Sequence, residues 1–209
     1  MRIKKFAVGA YWTNCYVVYS DAHDAIVVDP GGPMDEVRAF LRENGLDLRW
    51  VLITHGHGDH ILGTSEIRSL ASEGVAIHAE DAQLLADSRK NFSQSLGSPV
   101  SVSGAERLLA DGDVIEIGAM KVRVIFTPGH TQGGCCFYIT EGAQEFLISG
   151  DTLFARSIGR TDLPGGDEET LYKSLEKLAP LPDSLAVYPG HGPDTTIGEE
   201  RRLNPFWPR

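Results

Sequence analysis

Thr54-His55-Gly56-His57-Gly58-Asp59-His60 packs three of the chain's seven histidines into six positions, with a carboxylate among them. The stretch follows Trp50-Val51-Leu52-Ile53, an apolar run that reads as a buried strand. The cluster therefore occupies a loop at a strand's carboxyl end. Glycines 56 and 58 let the backbone turn tightly, so neighbouring imidazoles and the carboxylate can face one point. Imidazole nitrogen with carboxylate oxygen is a donor set for Zn²⁺, Fe²⁺ or Mn²⁺ and needs no thiolate. The plainer alternative is a solvated polar loop with a capping aspartate. The density of donors directly after an apolar strand favours metal.

Three further segments share this grammar, an apolar strand that ends in a glycine-flanked donor. Val124–Phe126 followed by Thr127-Pro128-Gly129 delivers His130, Phe146–Ile148 followed by Ser149-Gly150 delivers Asp151, and Leu185–Tyr188 followed by Pro189-Gly190 delivers His191. Each alone could be a turn residue or a helix cap. Together with the first cluster they make seven candidates: His55, His57, Asp59, His60, His130, Asp151 and His191. Seven donors exceed the needs of one tetrahedral ion and suit two. His23, in a polar turn, reads as solvated, and His78, ending an apolar strand, reads as structural. Cys135 and Cys136 open an apolar strand and read as small buried hydrophobes, not thiolate ligands.

The rest of the chain narrows the classes. Its 209 residues are 42% hydrophobic and 23% charged, the mix of an ordinary globular chain, and one domain over 1–209 is expected. A net charge of −10 disfavours nucleic acid and anionic membranes, which demand clustered Lys and Arg. No apolar run is long enough to span a bilayer, and the start, Met1-Arg2-Ile3-Lys4-Lys5, lacks the apolar core of a signal peptide. Three cysteines, two of them adjacent, form no disulfide framework, so reduced thiols and a cytoplasmic location are expected.

Periodicity predicts mixed strands and helices. Tyr16–Tyr19 and Ala25–Asp29 read as a hairpin across a polar turn, and Val114–Ile117 with Met120–Phe126 as another. Cys135–Thr140 pairs with Glu145–Ser149. Helices are expected from Pro33 to Gly45, over a short stretch around Ile67–Ala71 closed by Gly74, and at Asp167–Leu178, where acids lead and lysines follow. Hairpin pairs with helices between them favour two packed sheets over one doubly wound sheet.

The ordered set THGHGDH (54–60), PGHT (128–131), GDTLF (150–154) and PGHG (189–192) resembles the metallo-β-lactamase fold superfamily over essentially the whole chain. GRTDLPGGD (159–167) and PGHGPDTTIGEERRLNPF (189–206) resemble its short glyoxalase II-like hydrolases, which cleave thioesters of glutathione. The resemblance implies an α+β fold, an αββα sandwich with the site at one edge of the two sheets. It implies two divalent ions, zinc first, with iron or manganese as alternatives. One ion would take His55, His57 and His130, the other Asp59, His60 and His191, with Asp151 bridging. Asp59 and Asp151 would act as ligands that orient a metal-bound hydroxide for attack on a thioester carbonyl, S-lactoylglutathione or a related acyl-glutathione. A thiolate leaves as a stable anion and needs little acid help.

The competing expectation is a persulfide dioxygenase, whose single iron is held by two histidines and an aspartate; the family resembles this chain in its GRTD segment. PGHGPDTTIG around His191 is closer to the hydrolases. A nuclease is disfavoured by the charge and by the lack of room for a further domain. A β-lactamase is disfavoured at Asp151 and because those enzymes are exported. The helical carboxyl-terminal module that holds glutathione in the longer glyoxalase II enzymes would begin about where this chain ends. A small-molecule thioester therefore needs another cation, and Arg160 is the expected contact, unless it pairs with Asp162 or Asp167.

Overall fold

The computed structural model describes residues 1–208. β1 (Arg2–Val8), β2 (Thr13–Tyr19), β3 (Asp24–Val28), β4 (Asp47–Ile53), β5 (Gly74–His78) and β6 (Arg107–Leu109) lie side by side in that order in one sheet. The first three strands are antiparallel neighbours, and β3 to β6 run parallel. Parallel pairing needs crossovers, which α1 (Asp35–Glu43), α2 (Gly58–Ile61), α3 (Thr64–Ile67) and α4 (Ala82–Ala86) help to supply. The second sheet contains β7 (Val114–Ile117), β8 (Met120–Phe126), β9 (Cys135–Glu141) and β10 (Gln144–Gly150). A short ribbon of β11 (Leu153–Phe154) and β12 (Ser157–Ile158) follows, then α5 (Glu168–Leu178), β13 (Ala186–Pro189), β14 (Thr195–Thr196) and α6 (Ile197–Leu203). The second sheet has the order β14-β13-β10-β9-β8-β7, with β10 and β13 parallel.

Strand alternation sorts the side chains into layers. Tyr16, Val18, Ile26, Val28 and Leu52 point at Val122, Val124, Phe137, Ile139 and Ile148 of the other sheet, forming the central core. Their neighbours Val17, Val27, Val51 and Val75 face outward under Val37 and Leu41 of α1 and Ile67 of α3. Cys136, Leu147 and Val187 face the opposite way, under Leu175 and Leu178 of α5, with Ile197 and Trp207. Strands buried on both faces are why β2 to β5 read as nearly unbroken apolar runs. The result is a four-layer αββα sandwich, as expected.

Several local readings shift. Met1–Lys5, read only for a missing leader, lies largely within β1, an edge strand whose Arg2, Lys4 and Lys5 are exposed, which discourages further pairing. α1 begins at Asp35, leaving Pro33 outside, because Met34 takes the cap position and its N–H bonds Glu66 at 3.1 Å. Gly74 opens β5 and does not close a helix. α5 starts at Glu168 because Asp167 is its N-cap, accepting from the Thr170 N–H at 2.7 Å. No helix among the described residues is long and apolar enough to cross a membrane.

Candidate metal centre

The ends of β4, β10 and β13 and the segment after β8 open onto one edge of the sandwich. Where β4 stops, the Thr54 backbone N–H and hydroxyl both donate to buried Asp29, at 2.8 and 2.7 Å. Asp81 accepts from the Gly56 N–H (2.8 Å), the Thr131 hydroxyl (2.8 Å) and the Gly133 N–H (2.6 Å). One buried carboxylate thus ties the histidine loop to the segment that carries His130. On the far side, Asn14 Nδ2 donates to the carbonyls of Pro189 and Gly192 (both 2.9 Å), and the Tyr16 hydroxyl donates to Pro189 (2.7 Å). β2 of the first sheet thereby fixes the turn that presents His191 from the second.

All seven candidates converge. His55, His57 and His130 form one donor group, Asp59, His60 and His191 a second, and His55, His60 and Asp151 a third, with ligating atoms in each within 4.8 Å of one another. Asp151 reaches both sides: Oδ1 lies 3.4 Å from His60 Nε2, and Oδ2 lies 3.6 Å from His130 Nε2 and 3.7 Å from His191 Nε2. His57 Nδ1 faces His130 Nε2 at 3.0 Å, and His60 Nε2 faces His191 Nε2 at 3.3 Å.

Outer partners assign the tautomers. His130 Nδ1 donates to the Arg160 carbonyl at 2.7 Å, and His60 Nδ1 to Asp29 Oδ2 at 3.0 Å. The Thr54 hydroxyl, its hydrogen given to Asp29, accepts from His55 Nδ1 at 3.2 Å. The Nε2 lone pairs of His55, His60 and His130 are thereby turned inward.

The electrostatics follow from crowding. Burial, then neighbouring imidazoles, push His55 well below the usual histidine range, and burial with His130 pulls His57 down to about 3 despite Asp59 and Asp151. Burial also disfavours charge on His60, but Asp151, Asp29 and Asp59 outweigh it and hold that ring well above its ordinary value. Burial would raise Asp151; His60, His130 and His191 hold it far below the carboxylate range instead. His55 and His57 are therefore neutral imidazoles beside an ionised Asp151, the protonation that ligation requires, whereas the carboxylates around His60 favour a proton that a bound cation would displace.

These residues fit divalent ions. Buried His55 Nε2 and Asp151 Oδ1 have no hydrogen-bond partner, a costly arrangement for polar atoms unless something else satisfies them. The set is nitrogen and oxygen only. Cys135 and Cys136 are buried in the core, and burial raises both thiols, Cys136 to about 11, so neither supplies a thiolate. His78 stacks on Phe126 at 4.1 Å and accepts from the Glu80 N–H, a structural role. His23 is exposed in the turn between β2 and β3, as read from sequence, with Nδ1 3.2 Å from the Asn44 carbonyl.

Above the donors lies a cleft of 470 Å³ walled by Tyr11, Phe92, Leu96, Phe154 and Leu163, with Arg160 at its rim. Arg160 is exposed and paired through Nε and Nη2 with Asp162, both at 2.8 Å. The alternative named from sequence, an Arg160–Asp162 pair, is therefore present. What the residue brings to the donors themselves is its main-chain carbonyl. Asn14, Asp29 and Asp81 were not anticipated. Asp29 carried a signal, an Asp-Pro-Gly-Gly run closing an apolar strand; Asn14 and Asp81 carried none.

The profile of the Metallo-beta-lactamase superfamily matches residues 9–191. The chain is 37% identical to the probable metallo-hydrolase YqgX of Bacillus subtilis, over 99% of this chain and 97% of that one. It is 34% identical to hydroxyacylglutathione hydrolase GloC of Haemophilus influenzae, over 99% and 98%. The BLEG-1 B3 metallo-beta-lactamase superposes with a TM-score of 0.92 at 39% identity, covering 98% of this chain and 99% of that one. TTHA1623 in a di-iron-bound form superposes at 0.85 with 33% identity, covering 97% and 99%. The αββα fold, the convergent histidines and aspartates and this match over most of its length make the chain a member of the metallo-beta-lactamase superfamily.

Proposed function

We propose that the chain is a dinuclear metal-dependent hydrolase of thioesters, acting on S-lactoylglutathione or a related acyl-glutathione. The observation that carries the reading is Asp151, whose two oxygens lie within 3.4 to 3.7 Å of histidines from both donor groups. Two ions held there would polarise the carbonyl and lower the pKa of water between them. The residues' part is positional. His55, His57 and His130 would hold one ion, Asp59, His60 and His191 the other, and Asp151 would hold both. Phe92 sets its ring 5.4 Å from His57, and Phe154 sits 6.3 Å from His191, so aromatic surface flanks the donors on both sides. Among the described residues no carboxyl group besides Asp59 and Asp151 lines the cleft, which suits a thiolate leaving group. The identity with GloC supports the substrate class. Arg160 would take a glutathione carboxylate by exchanging its bond to Asp162.

Seven convergent donors exceed the two histidines and one aspartate of a single-iron dioxygenase, which favours hydrolysis. The test is anaerobic assay of metal-loaded protein. It should cleave S-lactoylglutathione and release free thiol at an undiminished rate. Strict dependence on O₂ and ferrous iron with glutathione persulfide as substrate, or faster hydrolysis of a chromogenic cephalosporin, would replace the reading.

A further inference from the structure

A second cleft of 440 Å³ lies against the first, sharing Tyr11, Asp59 and Leu96 as a common wall. Its other surfaces include Pro33 and Leu62, with Ser98 among its exposed lining residues, and no lysine or arginine among the described residues faces it. The charged group in its lining is the Asp59 carboxylate, which sits among the metal donors. The two clefts therefore differ in chemistry. The cleft over the donors has a guanidinium at its rim and can accept an anionic arm, whereas the neighbouring one offers apolar surface and no cationic side chain among the described residues.

We infer that this second cleft is the acyl subsite, and that the preferred substrates are thioesters with a neutral, apolar acyl group larger than lactoyl. The inference rests on the thioester reading above. A thioester carbonyl poised over the donors has two arms. The anionic carrier is drawn to Arg160, so the acyl arm turns the other way, past Tyr11 and Leu96, where the lining is apolar. A small hydroxylated acyl group would leave most of 440 Å³ unfilled. An alkyl chain would cover Leu62, Leu96 and Pro33 and displace water that those side chains cannot hydrogen-bond. Tyr11, 49% exposed at the divide, would bury one ring face against either arm.

Two series test this. With metal-loaded protein, calorimetric affinity for aceto-, butano-, hexano- and octanohydroxamate, whose head groups bind metal, should rise by roughly fourfold per methylene until the cleft is filled. The value of kcat/KM for S-acetyl-, butanoyl- and hexanoylglutathione should climb in parallel. Ser98→Trp, a substitution at an exposed position that fills the cleft, should cut the hexanoyl-to-acetyl ratio about tenfold, and Leu62→Ala should flatten the slope. Hydroxamate affinities independent of chain length, with S-lactoylglutathione still cleaved, overturn the subsite and leave the thioester reading standing. A rising hydroxamate series with no thioester cleaved overturns the thioester reading, and the acyl role falls with it.

Discussion

His60 Nδ1 donates to Asp29 Oδ2 at 3.0 Å, joining residues 31 positions apart in the chain. Asp29 sits where β3 ends, at a φ of +52°, and also holds Thr54 at the start of the histidine loop. This one carboxylate orients a metal donor and the strand end that delivers three others. Asp29→Asn keeps the backbone conformation accessible, since Asn tolerates the left-handed region, but replaces one acceptor oxygen with a donor. Metal affinity should fall about 10- to 100-fold, read by competition against a chromogenic chelator. Unchanged affinity would show that Asp29 supports the fold alone.

Asp151→Asn should lower the loading of both ions together, because the carboxylate faces both donor groups. Elemental analysis of loaded wild-type protein should give two ions per chain. One ion per chain, with His60 and His191 dispensable for binding, would reduce the centre to a single site.

Gly190 lies where a side chain would enter the donors: an added Cβ would sit 2.2 Å from Asp151 Oδ1 and 2.7 Å from His60 Cε1. Contacts that short force the donors apart. Gly190→Ala should therefore lose metal while keeping most of its secondary structure, compared by metal content and far-ultraviolet circular dichroism. Full metal occupancy would mean that the β13 turn yields easily, against its bonds to Asn14 and Tyr16.

Arg160→Ala leaves the main-chain carbonyl that receives His130 in place, so it isolates the guanidinium. Loss of a charge-assisted contact should raise KM for a glutathione thioester from several-fold to about thirtyfold, with kcat nearly constant. Asp162→Asn should do the reverse. An exposed pair is weak, so freeing Arg160 should lower KM by no more than about fivefold. Identical KM values in all three proteins would remove Arg160 from substrate binding.

Glu200 on α6 is buried, and its carboxylate accepts from the Arg156 N–H (2.7 Å), the Thr195 hydroxyl (2.6 Å) and Asn204 Nδ2 (2.8 Å). Arg156 holds a φ of +61° in the turn between β11 and β12, the ribbon that brings Phe154 to the cleft. Glu200→Ala leaves these buried donors unpaired and should cost about 2–4 kcal/mol in urea unfolding. A loss under 0.5 kcal/mol would show that water replaces the carboxylate.

Local sequence determined the donors and the elements that carry them. His55 to His60, His130, Asp151 and His191 each follow an apolar strand through a glycine-containing turn, and strand period and donor chemistry are both properties of neighbouring residues. Two packed sheets were legible from hairpin pairs with helices between them, and the αββα order from the resemblance carried by the donor motifs. Tertiary structure alone decided the rest. Asn14 and Asp81 look like any turn or loop polar residue until β2 is laid beside the Pro189–Gly192 turn and the Gly56 loop beside Gly133. Which ring nitrogen faces inward depends on carbonyls and carboxylates contributed from 30 or more positions away, as Arg160 does for His130 and Asp29 for His60. The two clefts and the wall between them arise where β1–β2, α2 and the segment around Leu96 meet. Such contacts leave no periodicity in the chain, because the hydrogen bonds and surfaces that create them exist only between segments that folding has brought together.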